Sequence, residues 1–338
     1  MLVPIGGRRI RHDLIGPEDA SVVCLAHCLS GDSGVWAEQL PPLLAAGWRV
    51  LVPDMRGHGG SDPGERTCRM EDLAADVVLL LDALGMPKVH FVGLSIGGMI
   101  GQALALDHRE RLASLFLTGT SPQAVPGGMA MWDARFEAIA AAGSLHPIAD
   151  DSIRRWFTAS FARANRLRQI RETVACTSPA GYRAGAEAII AFDVLDRLAG
   201  VTTPTLVVCG DDDPGTPPEG NRAIAERVPG ARYVEIADAR HLPMVQHPAL
   251  RANPRRLAGR PAESLTEPAR GLPRGSILPS VNHCRPIPKP ASRLLPVAAR
   301  SLDEWTSKPG APAGFPTPAG RGNLDHLTSA PLPSAASA

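Results

Sequence analysis

The feature that most constrains this chain is the stretch over residues 88–106, KVHFVGLSIGGMIGQALAL. It sets Gly93-Leu94-Ser95-Ile96-Gly97, a G-x-S-x-G, between two different patterns. Before it, Val89, Phe91 and Val92 read as a short buried strand. After it, residues 99–106 read as a helix rich in Ala, Leu and Gly. A serine on a sharp strand-to-helix turn carries its hydroxyl free of both elements, as a nucleophile must. Gly93 and Gly97 let strand and helix approach closely through a strained turn. The hydroxyl then stands at the positive end of the following helix. The same letters also fit an ordinary turn with a helix-capping serine, so the rest of the chain has to discriminate.

Around this turn, strand and helix patterns alternate. Residues 8–14 and 21–26 read as strands about a turn at 16–19, and residues 35–46 as a helix with Trp36, Leu40, Leu43 and Leu44 at helical spacing. Strand 48–53 runs into a glycine-rich loop, 54–61, expected to shape a rim. Helix 71–84 carries Leu73, Val77, Leu80, Leu81 and Leu84 on one stripe, and 112–117 is a further strand. The alternation stops near Thr120. Residues 121–200 read as helical throughout and hold seven of the 14 aromatic residues. Strand 205–210, helix 219–228 and strand 232–236 then restore the pattern, followed by a loop with His241. The expected class is α/β: a mostly parallel central sheet flanked by helices, with a helical lid inserted before the last two strands. The expected divisions are 1–120 and 201–260 for the sheet-bearing core, 121–200 for the lid, and 261–338 for a tail.

Composition enters mainly through that tail. Residues 251–338 hold 15 of the 33 prolines and 12 basic against 5 acidic residues, whereas residues 1–250 hold 23 basic against 29 acidic. The formal net charge of +1 therefore conceals two unlike segments. A helix starting near Leu250 is interrupted by Pro254, and beyond residue 260 no periodicity persists, so disorder is expected there. The six cysteines form no C-x-x-C pair, so neither a zinc site nor a disulfide framework is expected. The first residues lack a signal-peptide core, and no apolar run reaches the ~18–20 residues that span a bilayer. A cytosolic protein without a membrane partner is expected. Basic residues are scattered and not interleaved with aromatics, which argues against nucleic acid. Neither a metal cluster nor a phosphate loop stands out, so no cofactor is expected.

A serine hydroxyl is a poor nucleophile at neutral pH. It needs a base, and the base needs an acid to fix its tautomer. In a sheet of this kind they follow in the order serine, acid, histidine at successive strand ends. The loop after Gly210 offers Asp211, Asp212 and Asp213, among which spacing does not choose, and the loop after Ile236 offers His241. An oxyanion needs two backbone N–H donors. Ile96, directly after the serine, and Leu29, in the loop after strand 21–26, are the expected pair.

The stretches DMRGHGGSDP at 54–63, VGLSIGGMIGQALAL at 92–106, VVCGDDDPGTPPE at 207–219 and DARHLPMVQHP at 238–248 resemble the α/β-hydrolase superfamily. Within it, they look like the 3-oxoadipate enol-lactone hydrolases and their fungal relatives, over about residues 8–250. The resemblance implies Ser95 as nucleophile and His241 as base. It selects Asp213 as acid, because Gly210, Asp213 and Pro217 fill the pattern G-x-x-D-x-x-x-P. It implies a small-molecule ester or lactone as substrate, such as an enol-lactone of aromatic catabolism. Expected substrate contacts are Trp36, Trp132 and Trp156, with Arg135, Arg154, Arg155 or Arg183 meeting a substrate carboxylate. The chain departs from the pattern at Cys28, where a glycine is usual, at Arg240, where a small residue is common, and after Pro248, where a closing helix is expected. Two other readings stand beside hydrolysis: a ligand receptor on a hydrolase fold with a slow triad, and a hydrolase crippled by its altered C-terminal segment.

Overall fold

The structure is a computed structural model that describes residues 1–63, 67–124, 128–163 and 167–247. The expected disorder of the tail, the helix from Leu250 and the closing helix all fall outside these residues.

Eight strands form one sheet in the order β1-β2-β4-β3-β5-β6-β7-β8. They are β1 (Leu2–Ile5), β2 (Arg8–Ile15), β3 (Val22–Ala26), β4 (Arg49–Pro53), β5 (Val89–Leu94), β6 (Leu112–Thr118), β7 (Thr205–Gly210) and β8 (Arg232–Ile236). β1 and β2 pair antiparallel, as do β2 and β4; every other pairing is parallel. β1 was not foreseen. It is the outer arm of a hairpin whose two turn residues, Gly6 and Gly7, both have positive φ, the requirement of a tight hairpin turn.

The central strands are apolar along their whole length because both faces are covered. Cys24, Ala26, Phe91, Leu115, Leu117 and Val207 point to one side, with Leu73, Leu80 and Leu81 of α2 (Met70–Ala83), Ile100 and Leu104 of α3 (Ile96–Asp107) and Ile224 of α8 (Pro218–Arg227). Val23, Leu25, Val92, Leu94, Phe116 and Val208 point to the other, against Trp36, Leu43, Met244 and Val245. The alternation of the two sets along each strand is the period-two pleat.

The helix expected over 35–46 is split. A 3₁₀ turn covers Ser33–Trp36, and α1 begins afresh at Leu40–Ala45. Pro41 and Pro42 are the cause: in a continuous helix their rings would meet the carbonyls of Ala37 and Glu38, but in a first turn proline is tolerated. α9 (Pro243–Gln246), a single turn after His241, was likewise unforeseen.

Between β6 and β7 the chain leaves the sheet for α4 (Met129–Ala142), α5 (His146–Trp156), α6 (Leu167–Cys176) and α7 (Pro179–Ile190). The two sheet strands that bracket this excursion are hydrogen-bonded neighbours, with Leu117 opposite Val207. Strand order reverses between β3 and β5: from β3 the chain crosses to β4 on one side, then returns to β5 on the other. In open parallel sheets a crevice forms at the carboxyl ends of strands at such a reversal. Ala26 pairs with Gly93 there, which brings the loop after β3 alongside Ser95. Among the described residues no helix is long and apolar enough to cross a membrane.

Candidate active site

Ser95 links β5 to α3 at φ 58°, ψ −118°. This left-handed conformation is costly for a residue with a Cβ and persists only where its surroundings impose it. The surroundings are tight. A Cβ on Gly93 would collide with the Gly97 carbonyl, and one on Gly97 with the carbonyl of Ala26 on β3. The Ser95 N–H donates to Thr118 O (3.0 Å), so the turn is fastened to the end of β6. Ile96 is the first residue of a 12-residue helix, and its N–H has no intrahelical acceptor. Leu29, in the loop after β3, lines the cavity that Ser95 faces.

That cavity has a volume of about 260 Å³, and His241 stands on its wall with Ser95. His241 Nδ1 lies 2.8 Å from Asp213 Oδ2, and the Asp213 side chain is wholly buried. The turn after Asp213 folds back on its carboxylate: the N–H groups of Gly215 (2.8 Å) and Thr216 (3.1 Å) donate to Oδ1, and the Thr216 hydroxyl (2.7 Å) donates to Oδ2. Burial alone would raise the carboxyl pKa. The His241 charge and the hydrogen bonds from His241 and Thr216 outweigh it and hold the group below the ordinary carboxylate range. An ionised acid beside Nδ1 keeps the proton there and leaves Nε2 as the basic nitrogen.

The other two aspartates have separate partners. Asp211 Oδ1 accepts the Ala239 N–H (3.3 Å), and Asp212 Oδ2 accepts Arg240 Nε (2.8 Å). Arg240 also donates to the carbonyl of Arg154 at the end of α5, so the histidine loop is tied to the helical segment.

Of the residues expected to meet substrate, Trp132, Trp156, Arg135 and Arg155 line the cavity. Trp36, Arg154 and Arg183 do not. Trp36 is fully buried in the core under β3 and β4, because the break before α1 puts it on the 3₁₀ turn that faces the sheet. Arg154 is largely exposed and pairs with Asp151 (3.6 Å). Arg183 also lies outward, against Glu187 (2.9 Å) and over the ring of Phe136. The loop over 54–61 contributes nothing to the cavity that holds Ser95; its Gly57 backbone packs instead against Gly181 at the start of α7.

The two cavity arginines differ. Arg135 is matched by Asp151 (2.7 Å) and lies 3.4 Å from the Tyr182 hydroxyl. Arg155 has no carboxylate at ion-pair distance among the described residues; its Nη1 lies 2.8 Å from the sulfur of Met131. Burial, then the neighbouring Arg135 charge, lowers its pKa from the ordinary guanidinium value. Thr216 was missed in the sequence, although a hydroxyl three residues beyond an aspartate, in a tight turn, is a recognisable signal. Among the described residues no group of three or more His, Cys, Asp or Glu side chains is placed to hold a metal ion.

Residues 21–248 match the profile of the α/β-hydrolase fold family. The chain is 31% identical over 245 residues to 3-oxoadipate enol-lactonase 1 of Acinetobacter baylyi, covering 72% of this chain and 90% of that one. It is 34% identical over 221 residues to a putative carbamate hydrolase of Variovorax paradoxus, covering 64% and 83% respectively. The crystal structure of the enol-lactonase from Burkholderia xenovorans superposes with a TM-score of 0.69 at 32% identity, over 73% of this chain and 94% of that one. With the elbow at Ser95, the strand reversal beside it and a family match that takes in β3 to β8, this chain belongs to the α/β-hydrolase fold family.

Proposed function

We propose that the protein is a serine hydrolase of small lactones or esters that carry a carboxylate, acting through an acyl-enzyme. The observation that carries the reading is one cavity. It joins a strained serine, a histidine bonded to a buried, ionised aspartate, and a half-buried guanidinium that feels the charges of Asp151 and Asp213 but has no carboxylate at ion-pair distance among the described residues.

Ser95 Oγ attacks the carbonyl carbon as His241 Nε2 takes its proton. Asp213 holds the tautomer and stabilises the imidazolium. The Ile96 and Leu29 N–H groups receive the oxyanion. The tetrahedral adduct collapses, the C–O bond breaks, and His241 returns the proton to the departing oxygen. In a lactone that oxygen remains tethered to the acyl group. Water, deprotonated by His241, then releases the acid and restores Ser95. Arg155 takes the substrate carboxylate, since a half-buried guanidinium with no ion-pair partner among the described residues can offer its N–H donors to a carboxylate in the cavity. Helices α4–α7 serve as the lid. The enol-lactonase relatives direct attention to an enol-lactone.

The test begins with a serine-reactive fluorophosphonate, which should label the protein, and Ser95→Ala, which should abolish labelling and lower kcat by on the order of 10⁶. A panel of lactones, esters and carbamates, each with and without a carboxylate, follows. Arg155→Gln should raise KM for the carboxylate-bearing members and leave the neutral ones within about twofold. Full labelling of the Ala variant overturns the mechanism. A single covalent event without turnover favours a receptor.

A further inference from the structure

α8 presents two buried side chains to the sheet, Ile224 and Asn221. An amide at a fully buried helical position is expensive unless its hydrogen bonds are made. Those of Asn221 are made to three different places. Its Oδ1 accepts the Thr120 N–H (3.0 Å), just past the end of β6. Its Nδ2 donates to the carbonyls of Thr216 (2.9 Å) and Pro217 (3.2 Å), in the loop of Asp213. The amide has one workable orientation, since Thr120 offers only a donor there and residues 216 and 217 only acceptors.

Each end of this bridge continues to the site. Thr120, itself fully buried, donates its hydroxyl to the carbonyl of Ser95 (2.8 Å). Thr216 donates its N–H and its hydroxyl to Asp213, and its Oγ1 lies 3.3 Å from His241 Nδ1. An unbroken buried chain therefore runs from Ser95 through Thr120, Asn221, Thr216 and Asp213 to His241. The nucleophile and the acid sit on loops of strands β5 and β7, which are not neighbours in the sheet. Asn221 joins their two hydrogen-bond systems by a side-chain route, beside the backbone ladder of β6.

We infer that Asn221 is a positioning residue that sets the separation between the Ser95 elbow and the Asp213–His241 pair. This rests on the hydrolase reading above. An apolar side chain there would fill the same space and remove the side-chain link between the elbow and the acid loop, leaving the backbone pairing of β6 and β7 to couple them. A misplacement of about 1 Å in such a constellation costs on the order of 10²-fold in rate.

The test uses the full chain and the substrate that turns over best in the panel. Asn221→Leu, of similar size, should lower kcat ~10- to 100-fold with KM within about threefold, because Asn221 itself does not line the cavity. Asn221→Asp has a distinct signature. Its carboxyl, when protonated, can still accept from Thr120 and donate to Thr216. When ionised, it opposes two carbonyl oxygens. Its kcat should therefore fall along an alkaline limb absent from the wild type. Thr120→Val, which deletes only the hydroxyl bond to Ser95, should lower kcat about threefold to tenfold from the other end of the chain and remains informative if the Asn221 variants fail to fold. A variant that folds, melts lower and keeps the wild-type kcat and pH profile shows a structural role only and overturns the inference, as does an unchanged kcat in Thr120→Val. Wild-type protein that turns over no lactone, ester or carbamate instead removes the hydrolase reading, and the inference with it, before any variant is compared.

Discussion

The three consecutive aspartates show what a residue's neighbours in sequence conceal. Asp211, Asp212 and Asp213 share a charge and a loop, and spacing did not separate them; only the resemblance did. Burial separates them outright. Asp213 has a wholly buried side chain against His241, while Asp212 is 62% exposed and pairs with Arg240. Asp213→Asn should lower kcat on the order of 10⁴-fold by favouring the wrong histidine tautomer. Asp212→Asn should leave kcat within a few-fold and cost ~0.2–1 kcal/mol of stability, the range for an exposed ion pair. Steady-state kinetics on both variants decides, and a larger loss at 212 refutes the assignment. The arginines teach the same lesson. Arg154 and Arg155 are adjacent, but one step along a helix turns a side chain by about 100°, so one faces water and the other the cavity. That phase depends on what α5 packs against, which a single sequence does not state.

At the scale of elements, long periodic segments were legible and interruptions were not. α2 and the central strands fell where their apolar spacing put them, within a residue or two. The break before α1 was readable in Pro41-Pro42, and β1 in Gly6-Gly7, yet a strong apolar period ran over the first signal and a short strand hid the second. Missing the break is what misplaced Trp36. The docking of α7 had no sequence signal, because it depends on two glycines 124 positions apart. Gly57, at φ 73°, lies against Gly181 so closely that a Cβ on Gly181 would overlap the Gly57 carbonyl. Alanine at 181 gains about 1 kcal/mol of helix propensity. Collision with backbone outweighs it, because backbone cannot rotate aside. Gly181→Ala should lower the melting temperature and, since neighbouring Tyr182 lines the cavity, raise KM more than it lowers kcat. A thermal melt with initial-rate kinetics checks both parts.

For the whole molecule, two of the buried histidines outside the site, His27 and His58, set an acid limit. His27 donates from Nδ1 to Cys28 O (2.8 Å) and accepts the Met55 N–H on Nε2 (2.9 Å), so protonation would break a hydrogen bond. Its pKa is lowered, chiefly by burial. The ring of His58 lies 5.4 Å away. Burial, then the His27 charge, pushes its pKa down to about 3. Both imidazoles bind fewer protons folded than unfolded. Their contribution is therefore complete above the unperturbed value of 6.5 and is lost as pH falls below it, for His58 toward about 3. Each adds up to about 1.4 kcal/mol per pH unit to the slope. Asp213 adds a further loss below the ordinary carboxylate value, through its lowered folded pKa. Denaturant unfolding at pH 7.5 and pH 5.0 should show the fall, and His58→Gln should make it shallower by about one proton. Equal stability at both values refutes the account.

The excursion between β6 and β7 has a consequence for inheritance. One run of sequence, from Gln123 to Ile189, provides Trp132, Arg135, Arg155, Trp156 and Tyr182 to the cavity, whereas Ser95, Asp213 and His241 come from loops after the carboxyl ends of β5, β7 and β8. The start of that run is bridged to Asp193, just past its end, and the strands on either side pair directly. Insertions, deletions or a wholesale transplant inside it leave the register of the sheet untouched. A lineage can thus rewrite what the cavity admits in a single genetic event, while the groups that stand around Ser95 pass to the descendant unaltered.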